Sequence, residues 1–308
     1  MKIKCKGGYE MKKIFKLVLT GILAISLLVG CGKNTGTDTK TESSSGEFDT
    51  SKDIVVVTRE EGSGTRGAFI ELFGIEEKSP DGKKVDRTTK EAITQMKTDT
   101  VIKTVEGNEY SIGYISTGSL NETIKPVKID GVEPTTDNIK DGSYKIARPF
   151  NIAIKDSTDE LTKDFIDFIM SKEGQEIVSE SYIAIDDNTT PYNGTKPSGK
   201  IVVAGSSSVT PVMEKLREGY LKINEDAEIE IQLSDSSAGM QTAIDGTAHI
   251  GMASRALKDS EKAELKDIAI ALDGIAVIVN KSNTITDLTA ENVKSIFIGE
   301  TIKWNEIN

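Results

Sequence analysis

Two short loops hold the residues best suited to chemistry. One is Arg59-Glu60-Glu61-Gly62-Ser63-Gly64-Thr65-Arg66, the other Gly205-Ser206-Ser207-Ser208-Val209-Thr210-Pro211. Each follows an apolar run of strand type, Ile54 to Val57 and Ile201 to Ala204, and leads into a segment with helical periodicity. Such a loop aims free backbone N–H groups and small hydroxyls at one spot, the N-terminus of a helix, which attracts an anion. A third Ser/Gly loop, Ser234 to Gly239, precedes another helical segment. Any one of them reads as an ordinary strand–helix turn, with Ser and Thr as caps and Gly relieving a tight backbone. Three together, two with arginines at hand, point to anion binding.

Competing chemistries fit poorly. Gly62-Ser63-Gly64-Thr65-Arg66-Gly67 matches the dinucleotide pattern G-x-G-x-x-G, but Arg-Glu-Glu separates the strand from the first glycine. Asp81 and Asp86 lie in a polar stretch with no strand before them, so the acid that the fingerprint requires is missing. The loop from Gly205 lacks the closing glycine of G-x-S-x-G, and His249 is the only histidine, which argues against a serine hydrolase. One histidine without clustered ligands offers no metal site. No enzyme and no cofactor are expected.

The chain has 308 residues, and 37% hydrophobic content is enough to bury a core. Aromatics are only 5%, which favours a polar pocket over an aromatic-lined one. Net charge is −11, although the first thirty residues are basic, with six Lys against one Glu. No basic patch stands out, which argues against nucleic acid. A small anion remains compatible, since local dipoles act at short range while distant charges are screened.

From Met11 the sequence reads as a secretory signal. Lys12, Lys13 and Lys16 precede an apolar stretch from Leu17 to Val29, which ends Leu28-Val29-Gly30-Cys31. The stretch is short for a spanning helix, which needs about 20 residues. A small residue before cysteine resembles a bacterial lipobox. That resemblance implies that residues 1–31 are a lipoprotein signal and that Cys31 carries lipid at the extracytoplasmic face of the cell membrane. With Cys5 upstream of the cleavage point, the mature chain has no disulfide. Residues 32–52, rich in Thr, Ser, Gly and Lys, read as a disordered tether, with folded sequence from Asp53.

The rest alternates strands and helices. Strands are expected at Ile54–Val57, Tyr110–Ile115, Tyr144–Ile154, Ile201–Ala204, Ile229–Leu233, His249–Met252, Ala269–Leu272 and Ile275–Val279. Helices carry Phe69, Leu72 and Phe73; Leu161 to Ile169 with a stop near Gly174; Val212 to Tyr220; and Val293–Phe297. Residues 186–199 read as a linker. This alternation indicates an α/β fold with mainly parallel sheets.

Several segments together resemble one family. Arg59 followed by Ser63-Gly64-Thr65, Ser206-Ser207-Ser208-Val209-Thr210-Pro211, Ser236-Ser237-Ala238-Gly239 and Gly251-Met252-Ala253-Ser254-Arg255 are similar to the phosphate-contacting segments of periplasmic-type phosphate-binding proteins. These are the substrate-binding lipoproteins of phosphate ABC importers. Asp273-Gly274-Ile275-Ala276-Val277-Ile278-Val279-Asn280, Ile296-Phe297-Ile298-Gly299 with Trp304, Ile112-Gly113-Tyr114 and the run from Phe168 to Gln175 support the likeness. The resemblance covers nearly everything from Asp53 onward.

The order departs from the family. There the Ser-Ser-Ser-Val-Thr-Pro segment comes first and Arg…Gly-Ser-Gly-Thr later; here the halves are exchanged through the 186–199 linker. The resemblance therefore implies a two-lobed, type II periplasmic-binding-protein-like fold in circularly permuted order. A fragment of a tandem protein is the alternative. Surface termini that lie close together make permutation tolerable. One lobe is expected from residues 53–143 plus 280–308, the other from residues 144–279, with inorganic phosphate between them.

The family likeness also implies roles. Arg59 supplies charge-assisted donors. Ser63, Gly64 and Thr65 donate from one lobe, and Ser207, Ser208, Val209, Ser237 and Ser254 from the other. Better-known members place an Asp where this chain has Arg255, and that carboxylate accepts a hydrogen bond from protonated phosphate and repels unprotonated sulfate. Here Arg255 binds the anion or pairs with Asp235 or Asp273, and either the acceptor passes to Asp273 first and Asp235 second or selectivity is weaker. The competing reading of Asp273 is a turn cap before Gly274. The partners are inorganic phosphate, a membrane-embedded ABC permease and the membrane itself, for a monomer. Alternatives are another tetrahedral oxyanion (sulfate, molybdate) or a binding-only module in sensing or adhesion.

Overall fold

A computed structural model describes residues 47–186 and 189–307. The signal segment, Cys31 and the tether up to residue 46 lie outside the described residues. In chain order the elements begin β1 (Val55–Arg59), α1 (Gly64–Leu72), β2 (Glu76–Lys78), β3 (Lys84–Asp86), β4 (Ile93–Gln95), α2 (Thr98–Glu106), β5 (Ser111–Ser116), β6 (Ile124–Pro126), β7 (Lys128–Ile129) and α3 (Thr136–Lys140). They continue β8 (Ala147–Ile154), α4 (Glu160–Met170), α5 (Lys172–Ser179), β9 (Ile183–Ala184), β10 (Gly199–Ser206), α6 (Thr210–Leu221), β11 (Ala227–Ser234) and α7 (Ser236–Ile244). The last are β12 (Ile250–Ala253), α8 (Asp259–Lys262), β13 (Lys266–Asn280), β14 (Asp287–Leu288) and α9 (Ala290–Ile298).

The main sheet runs β11-β10-β12-β8-β13-β5-β1-β4. Its flanks are parallel, β10 with β11 and β12, and β1 with β4 and β5. Its middle is antiparallel, because β8 and β13 run against each other and against their outer neighbours β12 and β5. The expectation of mainly parallel sheets thus holds on either side of two crossing strands. Where the sequence suggests separate strands at Ala269–Leu272 and Ile275–Val279, one strand of 15 residues is found. Asp273-Gly274 lies inside it, and a Cβ on Gly274 would overlap Ile139 and approach Thr117 Cγ2 to 2.8 Å. The glycine serves close packing here, not a turn.

Two apolar cores flank the crossing. The first gathers Phe69, Tyr114, Ile146, Ile275, Phe297 and Trp304. The second gathers Phe150, Phe165, Met213, Tyr220, Ile250 and Ala271. The changeover falls between Ala147 and Phe150 on β8 and between Ala271 and Ile275 on β13. Tyr144 and the run Ile275–Val279, assigned to the second lobe from the sequence, pack with the first core instead, except Ala276 and Ile278, which join Val57 and Val101 on the same sheet's other face.

Other boundaries also move. Phe48, placed in the tether by composition, is buried against Tyr110 and Trp304, with ring centroids 5.4 and 5.8 Å apart. The expected helix stop near Gly174 falls at Ser171, whose hydroxyl caps α5 by accepting from Gly174 N–H at 3.2 Å. Gly174 lies against the Phe168 carbonyl with no room for a Cβ, so it reports the contact of two helices. The 189–199 segment is strapped to α4. Asp164, 4% exposed, accepts from the hydroxyls of Tyr192 and Tyr220 (2.6 Å for the latter) and from Thr195 N–H at 2.7 Å. Among the described residues no helix is long and apolar enough to cross a membrane.

Candidate functional site

The helices α1, α6 and α7 each start at the end of a strand that faces the junction of the two cores, for the local reasons the sequence suggests. Ser63 caps α1 by accepting from Arg66 N–H at 3.3 Å, Pro211 occupies the first turn of α6, and Asp235 caps α7 by accepting from Ala238 N–H at 2.9 Å. The loop that the sequence places at Ser234–Gly239 is therefore shorter, and Ser236 and Ser237 already belong to the helix.

These ends bring hydroxyls from both lobes into contact. Thr65 Oγ1 lies 2.8 Å from Ser208 Oγ and 3.3 Å from Ser254 Oγ. Ser206 Oγ donates to Ser254 Oγ at 3.0 Å, and Thr98 Oγ1 stands 3.4 Å from both Ser207 and Ser208. Ser237 N–H donates across the lobes to Gly62 O at 3.2 Å. Gly64 permits the approach, since a Cβ there would overlap Ser236 Oγ and lie 2.8 Å from Ser254 Oγ. A crevice of about 170 Å³ beside the cluster is lined by Thr98, Ser207, Thr210 and Glu214. The larger cavity, about 640 Å³, lies apart between Phe168, Tyr192 and Ile223 and shares none of these hydroxyls.

Two buried guanidinium groups border the cluster. Arg59, 3% exposed, donates to both oxygens of Glu60 at 2.7 and 2.8 Å and to Ser207 Oγ at 3.1 Å. Arg66 steadies this loop by donating to the Arg59 carbonyl at 2.6 Å while paired with Asp86. Arg148, also 3% exposed, donates to Ser254 O at 2.7 Å and to Thr65 Oγ1 at 3.0 Å, with its Nη1 2.9 Å from Asp273 Oδ2. Burial pushes the Arg148 guanidinium down and the Asp273 carboxyl up, and each one's charge offsets the shift of the other.

Proton directions follow from obligate donors. Thr65 Oγ1 accepts from Arg148, Ser207 Oγ from Arg59, Ser206 Oγ from Ser208 N–H at 3.3 Å and Ser236 Oγ from Ser254 N–H at 3.2 Å. Each of these hydroxyls keeps its own proton to give. Such a cluster suits a ligand rich in lone pairs, and first-turn N–H groups add donors without internal carbonyl partners.

Several expected contacts fall differently. Thr65, Ser207, Ser208 and Ser254 do meet, together with Gly64. The hydroxyl of Ser63 is committed to capping α1, and Val209 N–H is taken by Ser206 O at 3.1 Å, which closes the turn into α6. Arg255 pairs with neither Asp235 nor Asp273 but with Glu261, at 2.7 and 2.8 Å, and donates to Ser237 Oγ at 3.3 Å. Asp273 lies within β13, with no turn before Gly274: its Oδ1 accepts from Ser116 and Thr117 hydroxyls, both at 3.0 Å, and its Oδ2 faces Arg148. The residues missed from sequence are Arg148 and Thr98; Glu60, Ser206 and Ser236 lie in the segments singled out but carry no individual role there. A lone arginine inside the apolar run Tyr144–Ile154 is a signal for Arg148; Thr98 has none, because α2 was not foreseen.

The comparisons agree with this architecture. Residues 37–173 and 190–308 match the family described as PBP superfamily domain. The phosphate-binding protein PstS 2 of Streptococcus agalactiae is 48% identical over 300 residues, 96% of this chain and 98% of that one. PstS 2 of Streptococcus pneumoniae is 42% identical over 299 residues, 97% and 99% of the two chains. A crystal structure of a phosphate-binding protein of a phosphate ABC transporter from Streptococcus pneumoniae superposes with a TM-score of 0.67 at 44% identity, covering 83% of this chain and 100% of that one. With two cores joined by crossing strands and a donor-rich junction between them, the chain belongs to the PBP superfamily, in the family of the streptococcal phosphate-binding proteins.

Proposed function

We propose that this protein captures inorganic phosphate between its lobes and delivers it to an ABC permease at the extracytoplasmic face of the membrane, without catalysing a reaction. The observation that carries this is the junction of hydroxyls from both lobes, in which Thr65 accepts from Arg148 and Ser207 from Arg59. Such fixed dipoles replace the water shell of a buried anion. The names of the streptococcal relatives support phosphate as the ligand and an importer as its destination. Calorimetry of the soluble form with phosphate, sulfate and molybdate tests the reading, and an absence of phosphate binding would end it.

A second reading, a different tetrahedral oxyanion, draws on the carboxylates. Glu60 is held by Arg59, Asp273 by Arg148, and Arg255 stands where better-known members have an acidic group. With Glu60 and Asp273 engaged by arginines, the preference for a protonated anion over sulfate weakens, so strong sulfate competition would select this reading.

Anchoring through lipid on Cys31 accompanies the proposal. A Cys31→Ser variant should leave the membrane fraction, and unchanged membrane retention would refute it. The permuted order is supported by the fold's ends lying side by side: Lys303 Nζ is 2.6 Å from Asp53 Oδ1, and Asn305 N–H donates to Thr50 O at 2.8 Å. The streptococcal relatives align along nearly their whole length, so they share this order.

A further inference from the structure

Arg148 and Asp273 face each other in register on β8 and β13, at the point where the two crossing strands pass from one core to the other. The Arg148 guanidinium touches both lobes and the crossing strand between them. Its Nε holds the Ser254 carbonyl of the second lobe at 2.7 Å, and its Nη2 holds Thr65 of the first at 3.0 Å. Its Nη1 reaches Gly274 O at 3.3 Å and Asp273 at 2.9 Å on the crossing strand itself. Asp273 is in turn fixed by Ser116 and Thr117 of the first lobe.

We propose that Arg148 is a positioning residue of the anion site: a latch at the crossing strands that acts through Thr65. Because guanidinium only donates, Thr65 Oγ1 must accept that bond, and its own proton is turned away from Arg148, toward Ser208, Ser254 or a ligand in their place. The same bond ties the first turn of α1 to the second lobe. Asp273 keeps the planar fork oriented, since a compact ammonium cannot span Thr65, Ser254 O and Asp273 at once. The pair therefore couples lobe approach to a fixed donor direction at the anion.

The ligand readout rests on the phosphate reading; the second readout does not. Arg148→Lys leaves Asp273 a cation, and Arg148→Met combined with Asp273→Asn leaves no lone buried charge, so both are expected to fold. Each should weaken phosphate binding by about tenfold or more. Adding Thr65→Val to Arg148→Met/Asp273→Asn should cost little beyond Thr65→Val alone, because contacts in one network are not additive. Fully multiplicative losses, or wild-type affinity in Arg148→Lys, would overturn the latch. Without any ligand, amide hydrogen exchange in peptides spanning Gly64 to Arg66 should quicken in both variants, and unchanged exchange there would equally overturn it. If the wild type takes no phosphate, the phosphate reading fails, and the exchange experiment still decides the latch.

Discussion

Removing Arg59 should produce two effects that a second substitution separates. Arg59 and Glu60 form a fork-to-fork pair whose side chains are 3% and 8% exposed. Arg59→Met leaves the Glu60 carboxylate buried without its cation, which costs about 3–5 kcal/mol of stability. For a folded unit of this size that is a fall of about 6–20 °C in the midpoint of thermal unfolding. The same change removes the donor to Ser207 and a charge beside the anion, a loss of about 2–5 kcal/mol in binding. In affinity this is about thirtyfold to several thousandfold. Arg59→Met/Glu60→Gln removes both charges, so thermal stability should return to near the wild-type value while phosphate affinity stays low. Differential scanning calorimetry and phosphate titration on the wild type and the two variants read both quantities. Wild-type phosphate affinity in the double variant would refute the role given to Arg59.

Three further outcomes are expected. Gly64→Ala places a methyl between the lobes against buried Ser236 and Ser254; the overlap should lower the thermal midpoint and weaken phosphate binding, and unaltered titration would show that the lobes need not meet there. Arg255→Ala should change phosphate affinity less than about fivefold, because its guanidinium is committed to Glu261 in a largely buried pair; a loss as large as that of Arg59→Met would restore Arg255 to the site. Asp164→Ala should destabilise the protein by about 2–4 kcal/mol and open the 189–199 strap to limited proteolysis. Burial pushes the Asp164 carboxyl up, but the hydroxyls of Tyr192 and Tyr220 and the N–H of Thr195 outweigh it and hold it below the usual range. Its stabilisation is then complete above about pH 4, the unfolded carboxyl value, and disappears as pH falls through the lowered folded value. A pH–stability curve identical in wild type and Asp164→Ala would contradict this.

The sequence by itself determined the local parts of this protein. Strand-loop-helix order around Ser63-Gly64-Thr65 and Ser206-Ser207-Ser208 follows from apolar runs ended by capping residues, because those signals act within a turn or two. Periodicity likewise carried α4, α6 and α9. One short element escaped it: six of the nine residues of α2 are Thr, Val or Ile, which favour strands over helices, and it owes its place to Val101 and Val105 packed with β5. So Thr98 was invisible. Long-range partners escaped as well. Arg255 and Glu261 are six residues apart and meet because α8 folds back, while Arg148 and Asp273 are brought together only by the register of β8 on β13. A carboxylate near a guanidinium takes whichever partner burial leaves within reach, and pairing across strands depends on register that no single segment encodes. The loops thus announced an anion site, but which charges face it and which are spent on each other was decided only where the two cores meet.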